Sequence, residues 1–114
     1  MAPPSRLAVA TGSVTRLVKE EASYHKELVQ QEERIKKLEA SEGDSNKEYT
    51  MRQEKQALQE TQNVFPALRI KIEQAVEKLE GELENSKDTG GDAGEIKKAE
   101  DALAAGRKVV AEGS

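Results

Sequence analysis

Apolar residues recur at intervals of three and four through Val14, Leu17, Tyr24, Leu28, Ile35 and Leu38, and the beat resumes through Met51, Leu58, Phe65, Leu68, Ile72, Ala75 and Leu79. This spacing keeps a stripe on one side of an α-helix, so the chain carries two long helices that must bury their stripes against each other. Polar residues interrupt both stripes, Glu21 and Gln31 in the first and Glu54 and Thr61 in the second. They are expected at helix edges bordering solvent, which implies a thin core and informative outer faces rather than a pocket that does chemistry.

The punctuation sets the element bounds. Pro3 and Pro4 mark a leader over residues 1-12, and Ser13 is placed to cap a first helix spanning about 13-40. Ser41-Glu42-Gly43-Asp44 breaks the pattern, and Ser45 with Glu48 reads as a capping box opening a second helix over about 45-86. The connection is short, so these two helices should be antiparallel neighbours. Pro66 falls inside the second helix, where its missing N–H predicts a kink near residues 62-65 rather than a break, because the beat is the same on both sides. Asp88-Thr89-Gly90-Gly91 reads as a flexible loop, and Asp92 caps a shorter third helix over about 93-111. Ala99 and Gly106 weaken that last stripe, so its end is expected to fray. The fold class is therefore all-α: an elongated, coiled-coil-like antiparallel bundle of three helices forming a single domain over 13-112.

Composition narrows the function. With 22 acidic and 18 basic residues mixed along 114 positions and a net charge of −4, no large field of one sign is expected, which argues against general nucleic-acid binding. The absence of cysteine excludes disulfides and thiolate chemistry and fits a reducing, cytoplasmic setting. Ala8-Val9-Ala10 imitates a signal-peptidase site without the apolar run that export requires, and no segment is long and apolar enough to span a bilayer. Acids alternate with bases on the polar faces, which disfavours a membrane-surface helix.

No catalytic constellation is complete in the sequence. His25 is the single histidine, so no convergent zinc set exists; its place beside Tyr24 puts it on a helix flank as a surface side chain. Asp44-Ser45-Asn46-Lys47-Glu48 begins like a calcium loop, but Tyr49 replaces the required glycine and Lys55 the closing glutamate. Neighbouring acids such as Glu32 and Glu33 diverge by about 100° on a helix and share no proton. Gly90-Gly91 and Gly94 lack the spacing and the following lysine of a phosphate loop. The chain reads as a non-enzyme with no cofactor and no metal.

One set of residues is more specific than a generic heptad. Thr11-Gly12-Ser13-Val14-Thr15-Arg16-Leu17-Val18-Lys19-Glu20-Glu21, then Tyr24, Gln30-Gln31-Glu32-Glu33-Arg34-Ile35, Gln56-Ala57-Leu58-Gln59-Glu60-Thr61 and Val64-Phe65-Pro66 resemble tubulin-folding cofactor A, the tubulin-specific chaperone A family. The resemblance covers roughly residues 11 to 85. It implies an ATP-independent chaperone, cytoplasmic and cytoskeleton-associated, that binds β-tubulin monomers after chaperonin release and passes them to later tubulin-folding cofactors. It also implies contact through helical faces rather than loops. Arg16, Lys19, Glu21, Tyr24, Gln30, Gln31, Glu33 and Lys36 on the first helix, with Gln59 and Glu60 on the second, are the expected partner-binding residues of a monomer or weak homodimer. The competing reading is a coiled-coil structural module that scaffolds or self-associates through the same stripes.

Overall fold

The computed structural model describes residues 3–43 and 45–112. Met1 and Ala2 of the expected leader, and Asp44 of the expected break, lie outside them. Three helices follow one another: α1 (Arg6–Ala40), α2 (Lys47–Asp88) and α3 (Ala93–Glu112). Each packs against both others, and the described residues contain no strand. The molecule measures 67 × 32 × 17 Å.

α1 begins seven residues earlier than its sequence suggests. Ser5, not Ser13, is the N-cap: its hydroxyl oxygen accepts from the Ala8 N–H at 3.0 Å and donates to Glu95 Oε1 at 2.6 Å. One side chain thus caps α1 and ties it to the start of α3. Leu7 and Ala10 are then buried in the same cluster as Ala99, Ala102 and Leu103, so residues 6–12 are part of the bundle and not a leader. Gly12, the residue before the expected cap, sits inside the helix with open space around it.

The turn into α2 also differs from the expected capping box. The helix opens at Lys47 with Asn46 as N-cap, and the turn is closed by the Lys47 ammonium, which donates to the carbonyl of Ser41, the residue that caps the end of α1. Gly43 has φ 64°, and its missing side chain leaves the space that the Lys47 stem fills. α2 runs unbroken through Pro66, which removes the bond to the residue 62 carbonyl without dividing the helix. At its far end the Gly91 N–H reaches Ser86 O at 2.7 Å and the Gly90 N–H reaches Lys87 O at 3.4 Å, with Gly90 at φ 73°. This is a Schellman termination, so the stretch expected to be a flexible loop is a defined cap. Asp92 caps α3 as expected, accepting from the Glu95 N–H at 2.9 Å.

Positions that rise along α1 meet positions that fall along α2: Tyr24 meets Phe65 and Arg34 meets Glu54. Gly106 of α3 lies against Val14 and Val76, and a Cβ there would stand 2.6 Å from Val76 Cγ2 and 3.0 Å from Val14 Cγ1. The glycine that weakened the third stripe on paper is thus the point where α3 nests against both partners. Val14, Ile72 and Leu79 are fully buried around this level. Each contributes roughly 1.5–3 kcal/mol of burial before entropy. Leu28 and Phe65, which sit on the two apolar stripes, are only half-buried, because α3 does not extend over them.

Helix lengths explain why. At 1.5 Å per residue α2 is about 63 Å long and α3 about 30 Å. The buried cluster is accordingly confined to one half of the rod, where all three helices overlap. In the other half α1 and α2 form a two-helix hairpin whose buried residues are Gln31, Ile35 and Thr61.

Gly106→Ala should gain about 1 kcal/mol of helix propensity but lose about 1–3 kcal/mol to overpacking, and so unfold at lower denaturant. Gly81→Ala, in the open on α2, should gain roughly that propensity alone. Urea unfolding followed by circular dichroism checks both signs.

Candidate functional site

The residues named from sequence divide by position. Arg16, Lys19, Gln30, Glu33 and Lys36 are exposed on α1, as are Gln59 and Glu60 on α2. Gln59 donates to Asn63 at 2.9 Å, and Glu60 accepts from Gln56 at 3.4 Å, both one turn away on the same helix. These side chains are therefore presented to solvent from two helices rather than gathered into a cavity. Glu21 is half-buried and pairs with His25 one turn on.

Two polar positions are not at solvent edges. Gln31 is 4% exposed and Thr61 6%. The Thr61 hydroxyl turns back to its own helix, donating to Ala57 O at 3.1 Å. Gln31 Oε1 is buried with no hydrogen-bond partner among the described residues. Spacing alone placed them on the stripes; burial follows because the hairpin closes over both. Gln31 accordingly belongs to the seam and is withdrawn from the contact surface.

Tyr24 takes part in a small aromatic cluster. Its ring meets Phe65 edge-on, centroids 6.4 Å apart at 77°, and the His25 ring lies over Phe65 at 4.4 Å and 30°. Sequence reading put His25 correctly on a flank but missed its partner, which depends on the register between α1 and α2. Arg34 and Glu54, 3.3 Å apart across the same hairpin, were also missed as a pair. In the sequence Glu54 stands only as an interruption of the second stripe.

The remaining electrostatics are those of exposed helix faces. Arg107 and Glu80 meet at 3.0 Å and Lys87 and Glu100 at 3.4 Å, joining α2 to α3 with exposed pairs worth a few tenths of a kcal/mol each. The hydrogen bond to Asp101 holds the Lys97 ammonium above its ordinary pKa, on an outward face. Among the described residues no group of three acidic or histidine side chains is placed to hold a metal ion, and no helix is long and apolar enough to cross a membrane. The arrangement is suited to presenting a long, mixed-charge surface to another macromolecule.

Comparison with known proteins agrees. The family described as "Tubulin binding cofactor A" matches residues 2–103. Human "Tubulin-specific chaperone A" is 39% identical over 83 residues, covering 73% of this chain and 74% of that protein. The mouse protein of that name is 37% identical and the chicken protein 36%, over the same shares. No solved structure matches.

Replacing Gln31 by leucine removes a buried, unpartnered oxygen at similar volume, which should leave stability unchanged or raise it by about 1 kcal/mol. A lowered unfolding midpoint for Gln31→Leu would show that the amide is bonded after all.

Proposed function

Because the chain belongs to the tubulin binding cofactor A family, we propose that it is a tubulin-folding cofactor that binds β-tubulin monomers after their release from the chaperonin and holds them, without ATP, until later cofactors pair them with α-tubulin. It works in the cytoplasm, in association with the cytoskeleton, as a monomer or weak homodimer. The family assignment carries this reading, and the rod supports it physically: its polar side chains stand on long helical faces instead of converging on a site.

Such a surface favours a nearly finished client over a molten one. Charged and amide side chains spaced along rigid helices make contacts only with groups that are themselves fixed, so their contribution is to selection and encounter more than to raw affinity. Tubulin is acidic and this chain carries −4, so overall attraction does not drive the association. Local cations do: Arg16 with Lys19, and Arg34 with Lys37, each exposed on α1, meet acidic patches on the client.

The turn at Gly43 favours this reading over a continuous coiled-coil module, since the chain folds back and α2 packs along α1.

Co-migration of the purified chain with freshly released β-tubulin, with α-tubulin as control, tests the assignment; capture of β-tubulin alone is expected, and equal capture of both removes the specificity. Affinity should fall several-fold between about 50 and 300 mM salt as the local pairs are screened. Arg16→Glu with Lys19→Glu should weaken capture by about tenfold, equivalent to about 1.4 kcal/mol, while leaving the melting temperature within a few degrees.

A further inference from the structure

α3 stops partway up the rod, and the groove that it occupies continues beyond it. Gly106 lies against Val14 and Val76, and the six residues beyond it carry α3 only about 9 Å further. Tyr24 and Phe65 stand ten and eleven residues from that level, about 15 Å along the axis. The His25–Phe65 stack is therefore above the end of α3.

Thr15 and Val18 of α1 face α3 on one side, and Val76 and Glu80 of α2 on the other. In paired helices a step of seven residues, about two turns, returns to the same face. From Thr15 and Val18 the steps lead to Ala22 and His25, then to Val29; from Val76 and Glu80 they lead to Arg69 and Glu73, then to Gln62 and Pro66. The 4.4 Å stack of His25 on Phe65 brings the α1 wall against the seam residue of α2 at that level. Val29 is 53% exposed and, with Pro66 and the half-buried Phe65, gives this open stretch an apolar lining that none of the described helices covers.

The charge of the groove changes where α3 ends. Beside α3 the α2 wall carries Glu73, Glu77 and Glu80, and α3 answers with Arg107. Above it the same wall presents Pro66, Gln62 and Gln59, then Lys55 and Arg52, with Lys36 across the groove on α1 and Glu32 as the opposing acid. An occupant of the upper stretch is thus selected for an aliphatic ridge and acidic flanks. A second copy of the chain is disfavoured, because two-fold pairing would bring these cations towards one another.

We infer that the open groove takes one amphipathic helix of the client, lying in line with α3, its aliphatic ridge on Val29, His25 and Phe65 and its carboxylates toward Lys36, Lys55 and Arg52. This rests on the cofactor reading and specifies where the client sits. Val9, on α1 in the surface shared with Lys78 and Glu82, is 55% exposed and serves as the matched control outside the groove.

A photoreactive benzoyl-phenylalanine is placed at position 29 or, separately, at position 9 of the full chain, which is then irradiated with β-tubulin. The position 29 probe should join a helical, acid-flanked segment of tubulin, and the position 9 probe should not. Val29→Glu should weaken capture by roughly tenfold with an unchanged melting temperature, and Val9→Glu should leave it within about twofold. If the unmodified chain captures β-tubulin but position 29 joins nothing, joins a second copy of the chain, or tolerates glutamate, the groove is not the docking site and the cofactor reading stands. If the unmodified chain captures no tubulin, that reading fails and this inference falls with it.

Discussion

The seating of Val14 and Val76 against Gly106 sets the shape of the molecule. Because α3 carries no side chain at that position, the methyls of Val14 and Val76 both reach its backbone, and the fully buried residues Val14, Ile72 and Leu79 belong to the same cluster. A short helix with few large side chains, built on Ala99, Ala102, Leu103 and Gly106, can lie in a narrow groove in this way. Larger residues would push it outward and open the interior to water. Ser5 fastens the other end by bonding both to the first turn of α1 and to Glu95.

The two halves of the rod consequently differ in kind. Where α3 lies, burial is apolar and nearly continuous. Beyond it the hairpin closes over an amide, a hydroxyl and one isoleucine, with the Arg34–Glu54 pair across its edge. A seam of that kind holds two helices in register at little net gain, since a buried polar group without a full set of partners offsets the burial around it. It also leaves Tyr24, His25, Phe65 and Val29 at a surface. On the proposed function, a stable half presents a less self-sufficient half to the client.

Much of this was legible in the residues. The interval of three and four located both long helices and part of the core, Val14, Ile35, Leu68, Ile72 and Leu79, because one buried stripe per helix leaves its period in the sequence; Val76, buried beside α3, lies off that stripe, and Leu83, also buried there, lies beyond its end. The start of α1 was not legible: Ser13 offers a cap as good as Ser5, and only packing against α3 shows that Leu7 and Ala10 are core. Gly106 was read as a weakness because propensity is local while close approach is not. Gln31 and Thr61 were placed on the correct stripes but assigned to solvent, since spacing gives the direction of a side chain and not what covers it. Surface residues such as Arg16 and Glu33 leave no comparable trace, as a solvated position and a contact position look alike in one sequence.

The central claim is that a three-helix half, which adds Arg16 and Lys19 to the contact, anchors a two-helix half that seats the client. Residue-resolved amide hydrogen exchange, on the free chain and with β-tubulin bound, tests it most directly. The free chain should exchange slowest around residues 68–83 and 99–106 and faster around 20–35 and 50–65, and binding should slow the second group. Uniform protection in the free chain, or protection gained only where α3 already lies, would contradict it.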